Sequence, residues 1–215
     1  MPSTTSQRQA ATLRDGTRIL VRRLESADAP MLADAFAHLS AESRRLRFLT
    51  VKPSLSESEL RYLTDVDGHH HEALGAIDPA TGQGIAVARF VRDERDPSRA
   101  EVAVTVADEW QRRGVGKLLL GRLADRAREE GVTRFTALVS TDNRGMQRLL
   151  DGLDAPSRLT RIRGTVGEYE IQLAHRGLGA QLESALRAAA AGHLRVPPRL
   201  RELLRALVPL HLDRK

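Results

Sequence analysis

Gln111, Arg112, Arg113, Gly114, Val115, Gly116 and Lys117 follow one another between a strand-like run and a long helix-like run. That order has chemical content. The first N–H groups of a helix lack intrahelical acceptors, and the helix dipole adds partial positive charge around them. A glycine lets a ligand approach the main chain because no Cβ intervenes. Arg112, Arg113 and Lys117 add full positive charges. The segment reads as a cradle for a pyrophosphate or a similar dianion. A lone glycine turn is also a common helix cap, so its setting has to decide.

The flanking elements supply that setting. In residues 101–106, Val102, Val104 and Val106 fall on one face of an alternating strand. After the turn, Val115, Leu118, Leu119, Leu123 and Ala127 recur at helical spacing, predicting a helix over about 114–130 that Gly131 ends. Upstream, a first strand is expected over 17–24, and a helix from Asp28 to about Leu39 with Pro30 in its first turn. A second helix should start near Ser54–Glu59, with Leu60 and Leu63 on one face. Residues 71–77 and 84–91 read as a hairpin around the turn Asp78-Pro79-Ala80-Thr81-Gly82. Residues 134–139 read as a strand, Asp142-Asn143 as the start of a short helix to Leu150, and 168–173 as a last strand. The order is β-α-α-β-β-β-α-β-α-β, a mixed α/β plan. Residues 1–12 read as a disordered lead and 13–174 as the folded domain.

Composition bounds the chemistry. The 215 residues suit one ordinary domain with an appendage, and 41% apolar content is enough for a core. No cysteine is present, which excludes disulfides, thiolate metal sites and a cysteine nucleophile. No apolar run reaches membrane-spanning length and the N-terminus lacks a signal-peptide core, so a cytoplasmic protein is expected. The net charge is +6, and from Arg176 to Lys215 eight Arg/Lys stand against three Asp/Glu. With 3% aromatics there is little to stack on bases, so a nucleic-acid partner is not expected. Residues 175–215 read as a helical basic extension whose leucine stripe packs on the domain or on a twin subunit rather than in a membrane.

Taken together, these residues resemble the GCN5-related N-acetyltransferase (GNAT) superfamily. Its turn signature, Gln/Arg-x-x-Gly-x-Gly/Ala, is matched by Gln111-Arg112-Arg113-Gly114-Val115-Gly116, and the resemblance covers roughly residues 13–173. The stretches Leu13-Arg14-Asp15-Gly16-Thr17, Ser43-Arg44-Arg45-Leu46-Arg47-Phe48, Ala100-Glu101-Val102-Ala103-Val104 and Asp142-Asn143-Arg144-Gly145-Met146 are similar to the bacterial protein-lysine acetyltransferase branch. Some members of that branch carry a fused cyclic-nucleotide-binding or acyl-CoA-synthetase-like domain. This sequence has no room for either, so regulation by such a domain in cis is not expected.

The resemblance implies a mostly antiparallel central sheet with helices on both faces and one splayed parallel strand pair, here residues 99–106 and 134–139. It implies acetyl-CoA as co-substrate. The pantetheine arm would pair with backbone at Val104, Thr105 and Val106, in effect adding a strand. The pyrophosphate would take amides between Arg112 and Lys117, and Asn143 would hold the pantetheine. Glu101 matches the branch's general base, acting directly or through a water, and an apolar strand can raise a carboxyl pKa toward the working pH. The plain alternative is a solvated carboxylate paired with an arginine. Many family members place a tyrosine seven residues past the asparagine; here that residue is Leu150, and no general acid is assigned. The acceptor is a protein lysine or a small-molecule amine, and a non-catalytic CoA-sensing or nucleic-acid-binding protein is the competing class.

Other conspicuous residues have plain readings. His69-His70-His71 suggests a metal only superficially, since adjacent strand residues point to opposite faces. Trp110 reads as a packing anchor. Asp65 and Asp67 either line the acceptor side or serve a turn.

Overall fold

The strand that carries Glu101 has an apolar residue at every second position, so one face packs and the other stays available. The computed structural model describes residues 8–153 and 155–173. In chain order its elements are β1 (Gln9–Thr12), β2 (Arg18–Arg23), α1 (Ala29–Ala37), α2 (Ala41–Phe48), α3 (Glu57–Thr64), β3 (His71–Ile77), β4 (Gly84–Arg92), β5 (Arg99–Val106), α4 (Val115–Glu129), β6 (Arg134–Ser140), α5 (Arg144–Asp151), β7 (Ser157–Arg163) and β8 (Val166–Gln172). The strands form one sheet in the order β1-β2-β3-β4-β5-β6-β8-β7. Every pairing is antiparallel except β5 with β6.

That one parallel pairing is short. It holds Arg99, Ala100 and Glu101 against Arg134, Phe135 and Thr136 and then stops, although both strands run on. The β6-facing edge of β5 from Val102 to Val106 therefore has no ladder partner among the described residues. On its other side β5 is fully laddered to β4, from Arg92↔Ala100 to Ala86↔Val106. The two strands part into a wedge at the level of Glu101.

Both faces of the sheet centre are covered. The helix α4 buries Val115, Leu119, Leu120, Leu123 and Ala127 against Ala88, Phe90, Val102 and Phe135. Fully burying such side chains contributes about 1.5–3 kcal/mol each. Alternation sends Val87 and Arg89 of β4, and Ala103 and Thr105 of β5, to the opposite face, where α1, α2 and α3 close a cavity. Capping fixes those helices. Ser40 Oγ accepts from the amide of Ser43 at 3.1 Å, and Ser56 and Glu59 form a reciprocal capping box at the start of α3.

Three elements depart from the sequence reading. Residues 9–12 belong to an edge strand rather than a disordered lead, because Gln9 to Thr12 pair with Val21 to Arg18. The helix α2 has no fully buried residue, so it carries no apolar stripe to reveal it. The strand β7 alternates Arg with Leu, Thr and Ile and is exposed along its length, which hides its period. The chain divides after Leu173. The expected extension over 175–215, its dimer contact, and the lead over 1–7 lie outside the described residues. Among the described residues no helix is long and apolar enough to cross a membrane.

Candidate active site

The glycine turn sits beside the wedge, and its backbone is unusual. Arg112 has φ 61° and Gly114 has φ 91°, both in the left-handed region. For glycine that costs little; for an arginine it is a strained choice of about 1–2 kcal/mol. The result is a run of main-chain amides turned outward. Among the described residues, the amides of residues 112–116 make no intramolecular hydrogen bond. Further on, the amide of Leu118 donates to the carbonyl of Gly114 at 3.0 Å. A Cβ on Gly114 would meet nothing within 4 Å, so the space before it is open. Unsatisfied donors at a helix start, open space and the helix dipole together suit a diphosphate.

The two glycines have different reasons. A Cβ on Gly116 would lie 3.4 Å from Leu149 and 3.5 Å from Val106. Both are ordinary contact distances, so Gly116 faces β5 and α5 with just enough room for a methyl group. The buried Val115 between them pins the helix start to the core.

Several site residues already have protein partners. The guanidinium of Arg113 donates from Nε to Asp15 Oδ2 at 2.9 Å and from a terminal nitrogen to Thr17 Oγ1 at 2.7 Å, and it lies 4.3 Å over the Trp110 ring. Its charge is compensated by Asp15, so it ties the turn to the β1–β2 hairpin. Backbone and hydroxyl donors of Thr17, then Arg113, hold the Asp15 carboxyl down at about 2. The Gln111 amide nitrogen bridges Ser43 Oγ at 3.2 Å, the Val106 carbonyl at 3.2 Å and Asp108 Oδ1 at 3.3 Å. Gln111 braces the turn, and Val106 has one carbonyl contact spoken for. Asp108 completes the brace by accepting from the Ser40 amide and the Ser43 hydroxyl. Ser40, Ser43 and Asp108 were not singled out in the sequence, because a brace between α2 and the turn leaves no local pattern.

Arg112 is exposed at the turn, and Lys117 lies on the first turn of α4. Asn143 caps α5, its Oδ1 accepting from the Met146 amide at 2.9 Å. That use leaves its Nδ2 as a donor. Val104 and Thr105 sit on the unladdered edge, Val104 packing toward the core and Thr105 lining the cavity. Glu101 is exposed at the apex of the wedge, and its carboxylate makes no ion pair or hydrogen bond among the described residues. Leu150 is buried in the core, so no proton donor stands at its position.

The opposite side of the sheet holds an arginine that the sequence did not flag. Arg89 of β4 is 6% exposed and donates to the Leu63 carbonyl at 3.0 Å and toward His71 Nε2 at 3.2 Å. An arginine only donates, so that imidazole nitrogen must accept and the ring proton sits on Nδ1. Burial and the Arg89 charge push His71 down to about 4, which keeps it neutral at pH 7. Tyr62 stacks on it with ring centroids 5.1 Å apart. Asp67 is a turn residue: its Oδ1 accepts from the amides of His69, His70 and His71. Burial opposes its ionisation, but those three donors outweigh it and hold the carboxyl at about 2. His69 reaches the other way, with Nδ1 2.6 Å from Glu130. Among the described residues no group of three or more potential ligands is placed to hold a metal.

Known proteins resemble this chain in sequence and fold. The model of the acetyltransferase (GNAT) family matches residues 36–153. The chain is 36% identical over 143 residues to "Acetyltransferase Pat" of Mycolicibacterium smegmatis, covering 66% of this chain and 43% of that protein. It is 29% identical over 140 residues to "Acetyltransferase PA5475" of Pseudomonas aeruginosa, covering 64% of this chain and 75% of that protein. The solved GNAT domain of S. lividans PAT superposes with a TM-score of 0.72 at 30% identity, over 77% of this chain and 96% of that one. A cAMP-binding acyltransferase from Mycobacterium smegmatis superposes with a TM-score of 0.56 at 28% identity, over 93% of this chain and 53% of that one. The family match spans more than half of the chain, and the fold is shared with solved members: the chain belongs to the GNAT acetyltransferase family, whose enzymes take their acetyl group from acetyl-CoA.

Proposed function

We propose that this chain transfers an acetyl group directly to a primary amine, and that the amine is the side chain of a protein lysine. The observation that carries the transfer is the parting of β5 from β6 at Glu101 beside five amides that have no intramolecular acceptor among the described residues. The similarity of four sequence stretches to the protein-lysine branch supports the choice of acceptor.

Acetyl-CoA supplies an activated acyl carbon and a thiolate able to leave. Amides at residues 112–116 hold the diphosphate, and the open edge at Val104, Thr105 and Val106 aligns the arm, with the Asn143 Nδ2 as a further donor. Glu101 takes the proton that an ammonium must lose before its nitrogen can attack, directly or through a water. An amide on the open edge faces the oxygen on which charge develops. Holding amine and thioester together supplies much of the remaining acceleration. The expected place of action is the cytoplasm.

A small-molecule amine is the second reading, favoured by the cavity that α1, α2 and α3 close over the acceptor face. The Glu101→Gln variant tests the chemistry. Thiol release from acetyl-CoA in the presence of a lysine peptide should fall by about 10²–10⁴-fold while acetyl-CoA affinity stays at the wild-type value. Undiminished release would remove Glu101 from the mechanism. Absence of release from the wild type with peptide and small amines alike would favour the CoA-sensing class.

A further inference from the structure

The cavity on the acceptor face has a volume of about 70 Å³ and is mostly apolar, yet two arginines line it, Arg47 of α2 and Arg89 of β4. Among the described residues, neither has a carboxylate within ion-pair distance. The two hydrogen bonds of Arg89 go to a neutral carbonyl and a neutral imidazole. Arg47 only lies with its guanidinium 4.9 Å from the centre of the Phe48 ring. Burying a cation without an anion is costly, and placing two in one cavity adds mutual repulsion. Both are drawn below their ordinary pKa, Arg89 by burial and by Arg47 to about 9, Arg47 by burial with Glu101 opposing. Two arginines of β2 have such an anion beside them. Arg22 meets Asp28 at 2.6 Å and Arg23 meets the buried Glu72 at 3.1 Å.

Position gives the pair a purpose. Arg89 stands opposite Ala103 in the β4–β5 ladder, and Val91 stands opposite Glu101. Arg89 is thus one same-face step from the residue where the wedge opens. A group delivered to that apex on this face comes next to the two guanidiniums. Planar guanidiniums bind carboxylates with paired hydrogen bonds, and a buried, dry setting strengthens them.

We infer that Arg47 and Arg89 form a carboxylate subsite, filled during turnover by a carboxylate that one of the two reactants carries. The source is either the far end of a dicarboxylic acyl group on coenzyme A or a carboxylate that the acceptor carries on the same molecule as its amine. The inference rests on the acyl-transfer reading of the same site and deepens it: the pair sets which acyl donor or which amine is preferred.

Four reactants separate the sources. The full chain is assayed with acetyl-CoA against succinyl-CoA, and with Nα-acetyl-lysine against its neutral amide. In the wild type, kcat/KM should favour the carboxylate-bearing member of one pair. In Arg47→Met and in Arg89→Met that preference should shrink by about tenfold to a hundredfold, and Arg→Lys at either position should restore part of it. A shift in the donor ratio assigns the subsite to the acyl chain; a shift in the acceptor ratio assigns it to the amine. Because the readout is a ratio, a general loss of activity leaves it unmoved. Calorimetry of both CoA esters with wild type and Arg47→Met reads the donor arm without turnover, and Arg47→Met replaces the less buried of the two arginines if Arg89→Met does not fold. Flat ratios in every variant, with acetyl transfer to the neutral amide intact, would overturn the subsite and leave the acyltransferase standing. Loss of all transfer in the wild type, with both CoA esters bound equally, would overturn both.

Discussion

Gly114 concentrates the site's demands in one residue. Its φ of 91° strains any side chain, and the space before it is open. Gly114→Asp puts a carboxylate where a diphosphate should lie and opposes the dipole of α4. Its acetyl-CoA affinity should fall roughly tenfold or more by calorimetry; affinity equal to wild type would mean that the turn holds no phosphate. Much of this was legible from residue types, since glycines and a helix start announce an anion cradle. The fate of Arg113 was not. Its partner Asp15 is 98 positions away in the chain, and only folding brings the two to 2.9 Å. Arg47 and Arg89 escaped notice for the same reason, because an uncompensated charge is a statement about neighbours.

At the scale of elements, the start of α4 uses two glycines for two purposes, and alanine distinguishes them. Gly114→Ala places a Cβ in a left-handed conformation and should destabilise the protein by about 1 kcal/mol. Gly116→Ala adds a methyl group at ordinary contact distance from Leu149 and Val106, and should be neutral or stabilising by up to about 1 kcal/mol. Denaturant midpoints of the two variants check the contrast, and equal losses would contradict it. The strands β3, β4 and β5 and the helix α4 follow the sequence expectation to within a residue or two, because each presents a strong period to a packed neighbour. The strands β1 and β7 and the helix α2 did not show themselves. Two are edge strands and one is a charged surface helix, so no buried face imprinted a period on them.

For the molecule as a whole, acid should act through His71 before it acts through the carboxylates. At pH 7 the imidazole is neutral in both the folded and unfolded states. Below its ordinary value of 6.5 the unfolded chain takes up a proton that the folded chain refuses until about 4. Stability should therefore drop across that window, by on the order of 2 kcal/mol. Asp15 and Asp67 are held at about 2 against an ordinary 3.8, so their contribution is intact above 3.8 and is lost only as the pH falls through the lower range. Denaturant midpoints measured from pH 7 to pH 4 should show the first drop, and His71→Gln should flatten it. An unchanged slope in that variant would place the titrating group elsewhere.

By itself the amino-acid sequence determined the α/β plan, the glycine turn between β5 and α4, and Glu101 on the solvent side of a strand. Each of these follows from local spacing: periods of two and of 3.6 residues, and the backbone freedom of glycine. Only the tertiary structure decided where the parallel ladder ends, which arginines are neutralised and which are left to face a cavity. Those outcomes depend on side chains far apart in the chain arriving within a few ångströms of one another, and no local period encodes that meeting.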